Sequence, residues 1–85
     1  MATAIFEVEI TSPLEFKTYQ IEWIEVQSPT GSFFVGPNHA PLISLLKKKS
    51  IVMYKRVDQK NPETLDVSGG FFKVSDNKAL ILLDG

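Results

Sequence analysis

Chemistry in this sequence would have to come from a few places: the single histidine, His39; the run Lys47-Lys48-Lys49; the acids Glu7, Glu9, Glu15, Glu22 and Glu25; and the pair of glycines in Ser68-Gly69-Gly70. A histidine catalyst needs a nucleophile and an orienting acid within reach. Around His39 the chain offers only Asn38 and Ser44. A ring that packs and hydrogen-bonds to hold its Pro-bounded loop, or one that meets a partner, fits the residues better. With one histidine and no cysteine, the chain cannot build a multi-histidine or thiolate metal site, a disulfide or a thiol nucleophile. The glutamates follow strand alternation and read as outward solubilising residues, with nothing to mark two of them as an acid/base pair. Ser68-Gly69-Gly70 lacks the lysine spacing of a phosphate-binding loop and lies between strand patterns, so it reads as a tight turn or bulge needing positive φ. The lysine run reads as a solvated hairpin corner, with contact to an acidic partner loop or a lipid headgroup as the other reading. No catalytic, cofactor-binding or metal-binding residue is expected.

The chain that must position these residues is short. Its 85 residues make one domain, 1–85. A chain of this size buries only about 60–65% of its unfolded surface, which makes its stability marginal. Hydrophobic residues at 44% and charged residues at 22% are ordinary for a globular domain. Nine Lys and Arg against ten Asp and Glu leave no basic footprint for nucleic acid. Residues 1–10 carry no basic leader pattern and two glutamates, so they read as mature structure. The longest apolar run, Ala79–Leu83, is far short of the roughly 20 residues of a membrane helix.

Apolar and polar residues alternate with period two along most of the chain, the mark of half-buried strands. Ala4, Phe6, Val8 and Ile10 share one face and Glu7 and Glu9 the other. Beyond Ser12-Pro13, Leu14, Phe16 and Thr18 alternate with Glu15 and Lys17, and Ile21, Ile24 and Val26 continue the apolar set. Ile21 and Ile24 are three apart, so a strand can bury both only through a β-bulge near Glu22–Trp23. Turns are expected at Ser28–Gly31, Asp58–Pro62, Ser68–Gly70 and Ser75–Lys78, and a loop at Gly36–Pro41. Leu42–Leu46 reads as a strand rather than a helical turn. The prolines and glycines all fall between or at the ends of runs, and no amphipathic pattern of helix length occurs. About eight to ten short strands imply an all-β sandwich or flattened barrel.

A sandwich needs one apolar face per strand, and this chain supplies more. Phe33-Phe34 and Phe71-Phe72 must each send one ring inward and one outward. Val35 and Val74 select Phe33 and Phe72 for the core, leaving Phe34 and Phe71 outside; Trp23 is outside too if Ile24 and Val26 face inward. Either a small sandwich simply exposes some apolar surface, or these aromatics form a protein-docking surface. A free-standing module binding a peptide or small ligand at an edge or aromatic face is the second functional class; a deep pocket lined by Trp23, Tyr19 or Tyr54 would favour it.

Gly36-Pro37-Asn38-His39-Ala40-Pro41-Leu42, followed by Val67-Ser68-Gly69-Gly70-Phe71-Phe72-Lys73-Val74 and an apolar last strand ending in Asp84, resembles the epsilon subunit of F-type ATP synthases, the counterpart of the mitochondrial delta subunit. The likeness covers nearly the whole chain and implies the family's N-terminal β-sandwich. It also implies a non-catalytic rotor subunit of the central stalk that contacts the gamma subunit and the c-ring. Such a protein is peripheral, on the cytoplasmic face of a bacterial inner membrane or the stromal face of a thylakoid, and meets the membrane only through its complex. The matching loop residues Pro37, His39, Ala40, Pro41 and Leu42 would face the c-ring, and the outward aromatics Trp23, Phe34 and Phe71 would meet gamma. The chain departs from the family pattern at four places. Asn38 stands where Gly is usual before His, and tolerates left-handed φ; Ser32 stands where an acid often meets the c-ring; Phe34 stands where Gly is frequent; and Lys48-Lys49 replaces a Pro-Gly turn. Typical members continue into a C-terminal pair of helices where this chain reaches Asp84-Gly85, so neither a nucleotide site nor helix-mediated inhibition is expected of this polypeptide.

Overall fold

The structure, a computed structural model, describes residues 5–84. Eight strands follow in chain order: β1 (Glu7–Thr11), β2 (Phe16–Ser28), β3 (Gly31–Val35), β4 (Leu42–Leu46), β5 (Ser50–Arg56), β6 (Glu63–Val67), β7 (Gly70–Ser75) and β8 (Lys78–Leu83). They form the expected β-sandwich, curled around one core, and no described residue is helical. The first sheet runs β4-β7-β8-β1-β2 and the second continues from β2 through β5 to β6, with β3 also paired to β2. All pairs are antiparallel except β1 with β8, which run parallel.

The 13-residue β2 belongs to both sheets. Its first half pairs with β1 through Phe16–Gln20; its second half pairs with β5 on one edge and β3 on the other. The register slips between Ile21 and Trp23, where the alternation requires a bulge. That slip lets Ile21, Ile24 and Val26 all face the core. Val8, Ile24, Val35, Val52, Phe72 and Ile81 lose all access to water, each side chain contributing about 1.5–3 kcal/mol relative to exposure. Phe6, Val8 and Ile10 share the inner face of β1 as the pattern requires; Ala4, expected beside them, lies outside the described residues.

Leu14 and Phe16 differ from the sequence expectation. The alternation places them in the apolar set that continues to Ile21, but both are exposed. Phe16 pairs with Thr11, whose neighbours Ile10 and Val8 take the inner face, so the register sends Phe16 outward.

The turns follow from their residues. Asp76 (φ 50°) and Asn77 (φ 60°) occupy the two central positions of the β7–β8 hairpin, and left-handed φ at both is the type I′ geometry that suits strand twist. Lys49, in place of the usual glycine, is left-handed as well (φ 56°). Gly70 is the most constrained glycine: its φ is +143°, and a Cβ there would overlap the Leu82 backbone carbonyl. Gly31 has a similar φ (+154°), but a Cβ there would meet nothing within 4 Å. In urea denaturation, Gly70→Ala is therefore expected to cost about 2–4 kcal/mol, from backbone strain plus the clash, and Gly31→Ala about 1 kcal/mol from strain alone. Equal losses would show that the close approach of β7 to β8 contributes nothing.

Candidate functional site

The residues marked by the sequence fall in three places. Trp23, Ser32 and Phe34 lie on the outer face of the second sheet, Pro37–Pro41 in the loop leaving β3, and Phe71 on the outer face of the first sheet.

On the second sheet Phe34 is 61% exposed, while Trp23 is half-buried because the two rings stack at 5.2 Å and 29°. They are diagonal neighbours: Phe34 is opposite Glu25, two residues along β2 from Trp23. Such pairs hold each other's rotamers and expose one broad aromatic face. Met53, opposite Glu25 on the other side, extends it, and exposed Ile51 follows two residues away. Lys55 reaches Glu22 at 3.5 Å on its border. Ser32, opposite Gln27, is exposed on the same face.

The first sheet carries a second apolar surface, of which the alternation points to Phe71 and to residues 79–83, apolar on both faces. Register aligns Leu45, Phe71 and Leu82 in one row across β4, β7 and β8, and Ile43, Lys73 and Leu80 in the next. Ile43 is 69% exposed, Leu45 54% and Phe71 51%. The alternation within Leu42–Leu46 and Ala79–Leu83 contained the signal; the register that makes one surface of it did not show in the sequence. The surface runs into an open groove of about 530 Å³ at one end of the sandwich, lined by Leu45, Phe71, Lys47, Lys48, Gly69 and Asp84. Here the lysine corner is exposed, and the Lys47 amide donates to the Gln27 carbonyl at 2.8 Å.

The loop from Gly36 to Pro41 projects at the other end. Pro37, Asn38, His39, Ala40 and Pro41 are all exposed. Asn38 is left-handed, φ 65°, in the place where glycine is usual. His39 Nδ1 donates to the neighbouring Ala40 carbonyl at 2.7 Å, but its ring is exposed rather than packed. Leu42 is half-buried and packs against the core, so it offers less surface than its loop neighbours.

A polar cluster fixes the far edge of the second sheet. The Tyr54 hydroxyl donates to Glu63 Oε2 at 3.1 Å, and Arg56 donates to Glu63 Oε1 at 3.3 Å and to both Asp58 oxygens. The guanidinium lies 4.3 Å from the centre of the Tyr19 ring, which stacks on Tyr54 at 5.9 Å. Burial, with the bond and charge of Glu63, pushes the Tyr54 phenol up to about 12. Tyr19 and Tyr54 thus face each other and their ion-pair network. Among the described residues no group of three or more His, Cys, Asp or Glu could hold a metal, and no helix is long and apolar enough to cross a membrane.

Residues 5–85 match the family model described as the β-sandwich domain of the ATP synthase delta/epsilon chain. The chain belongs to this family. The ATP synthase epsilon chain of Chlorobaculum tepidum is 31% identical over 80 residues, covering 93% of this chain and 89% of that one. The epsilon chain of Desulfitobacterium hafniense is 37% identical over 65 residues, 76% of this chain and 47% of the relative. Among solved structures, a chain of the Euglena gracilis mitochondrial ATP synthase (OSCP/F1/c-ring) superposes with a TM-score of 0.86 at 21% identity, over 98% of this chain and 52% of that one. A chain of the Tetrahymena thermophila mitochondrial ATP synthase central stalk and c-ring gives 0.81 at 16% identity, over 94% and 63%. At those identities the structural likeness shows the fold. The chain thus spans most of the Chlorobaculum relative but about half of the Desulfitobacterium and Euglena chains.

The delta/epsilon β-sandwich here carries one titration that tests its packing. Because folding raises the Tyr54 pKa from 10 to about 12, the fold favours the protonated phenol. Its contribution is complete below pH 10 and disappears as pH rises to about 12. Denaturation midpoints measured from pH 9 to 12 are expected to fall, and Tyr54→Phe to flatten that fall. An unchanged slope in the variant would assign the loss to other groups.

Proposed function

We propose that this chain is a rotor subunit of the central stalk in a proton-translocating F-type ATP synthase, docked on the gamma subunit and the c-ring and performing no chemistry itself. The observation that carries the reading is apolar surface on both outer faces of the sandwich, beside a Pro-bounded loop at one end. A soluble domain gains nothing by holding the Trp23–Phe34 stack and the Leu45–Phe71–Leu82 row in water; a protein that covers them supplies the missing burial. Aromatic residues within a polar border are the usual composition of such contacts.

On this reading Trp23 and Phe34 anchor gamma, Phe71 extends the apolar contact on the opposite face, and Pro37–Leu42 meets the c-ring. Ser32, which stands where many members have an acid, leaves the Phe34 face without a negative charge at that point. A coupling element that transmits torque needs interfaces that do not slip, which favours a large apolar contact over isolated surface ion pairs worth about 0–1 kcal/mol. The membership of epsilon chains in the same family, and the F1/c-ring and central-stalk/c-ring assemblies that contain its structural neighbours, support the assignment. Attachment to the cytoplasmic face of a bacterial membrane, or the stromal face of a thylakoid, would come through the complex.

The test is reconstitution. Mixed at micromolar concentration with a gamma subunit and a c-ring, the chain is expected to co-elute with both; a chain that elutes alone would overturn the reading and leave the free-standing binding module. Trp23→Ala or Phe34→Ala is expected to weaken gamma binding by about 1–4 kcal/mol by calorimetry. Wild-type affinity in both variants would place the anchors elsewhere.

A further inference from the structure

We propose that Asn77 is a positioning residue for the Pro37–Pro41 loop: its carboxamide holds Asn38 in the left-handed conformation and so fixes the surface the loop presents to the c-ring. This rests on the reading that the loop docks on that ring. The Asn38 amide donates to Asn77 Oδ1 at 2.6 Å, and the Asn77 carboxamide nitrogen donates back to Asn38 Oδ1 at 3.4 Å. One side chain thereby satisfies both the backbone and the side chain of a residue 39 positions away.

The bracing runs from the sheet to the loop, not the reverse. Asn77 occupies the β7–β8 hairpin, and its own carbonyl accepts from the Glu7 amide at 3.1 Å, which ties the turn to the start of β1. Asn77 is half-buried, while Asn38 is exposed. Within the loop Pro37 and Pro41 have fixed φ, and His39 bonds only to its neighbour Ala40. Among the described residues, the side-chain hydrogen bonds that tie Gly36–Pro41 to the rest of the fold are the two between Asn38 and Asn77. An asparagine visits left-handed φ more readily than most residues but does not require it; the hydrogen bond from the Asn38 amide to Asn77 Oδ1 selects that conformation.

In the sequence Asn38 is accounted for by tolerance of left-handed φ alone, and Asn77 falls only in a turn, because nothing there brings the two residues together. Glycine at 77 keeps the turn, since Asp-Gly is a preferred type I′ pair, and removes only the brace. Aspartate at 77 keeps the oxygen that accepts the Asn38 amide.

The experiment compares wild type, Asn77→Gly and Asn77→Asp by amide hydrogen exchange at Asn38 and by binding of their gamma complexes to a c-ring. In Asn77→Gly the Asn38 amide is expected to exchange about tenfold faster. Ring binding should weaken about three- to tenfold, the worth of one or two ordinary hydrogen bonds, with gamma affinity unchanged. Asn77→Asp should restore both to within about twofold. Unchanged exchange, or faster exchange with unchanged ring binding, would overturn the proposal alone. Failure of Asp to rescue, or of Asn77→Gly to fold, would show Asn77 to be a general structural residue and overturn it too. A wild-type gamma complex that does not bind the ring would overturn the docking reading and this proposal with it.

Discussion

Because side chains alternate along a strand, Ile21 and Ile24 can both be buried only if the chain gains a residue between them, and it does so where β2 passes from one sheet to the other. Before the slip β2 pairs with β1; after it, β5 lies on one edge and β3 on the other. The same slip puts Trp23 on the outer surface, within reach of Phe34. Core closure and outer aromatic face are thus two consequences of one irregularity. A strand that kept strict phase through Glu22 would turn Ile24 out to water and Trp23 into the interior.

The two sheets differ in how they manage their outer surfaces. On the first, apolar rows across β4, β7 and β8 give way to Glu7, Glu9 and Thr11 on β1, with Lys78 near Glu9 at 3.8 Å. On the second, the aromatic stack is bordered by the Lys55–Glu22 pair and by Glu25. Exposed ion pairs of this kind contribute little to stability. Their effect is to confine the apolar surface to bounded areas. With a net charge of −1, long-range attraction offers little steering toward a partner, so recognition would depend on shape and burial.

Most of the strands were legible because the alternation is strong and the prolines and glycines punctuate it. The bulge was legible because two buried isoleucines cannot stand three apart in a regular strand. The inward and outward assignment of Phe33-Phe34 and Phe71-Phe72 followed from Val35 and Val74. What could not be read was pairing. Nothing local says that β8 lies parallel to β1, or that Leu45, Phe71 and Leu82 align in one row. Phe16 was misplaced for the same reason: its face is set by pairing with Thr11, not by its own neighbours. The candidate site residues were likewise identifiable by type, and the loop separates from the aromatics along the chain, but that Phe34 and Phe71 lie on different sheets follows from pairing alone.

That division bears on how a small domain could carry load. Apolar contact is non-directional and resists separation better than sliding; resistance to sliding needs groups whose positions are fixed. The stacked pair Trp23–Phe34 meets that need on one face, because each ring limits the other's motion. Pro37–Pro41 in the loop beyond β3 are exposed, and among the described residues the loop's fixed points are two prolines and the hydrogen bonds to Asn77, a residue itself held by the hydrogen bond from Glu7. A force applied at the loop would then pass through the β7–β8 turn into β1, and from β1 through its ladder into β2, the strand common to both sheets. On the docking proposed above, the path from ring contact to gamma contact runs through hydrogen-bonded strands, and its weakest link is the junction between loop and hairpin.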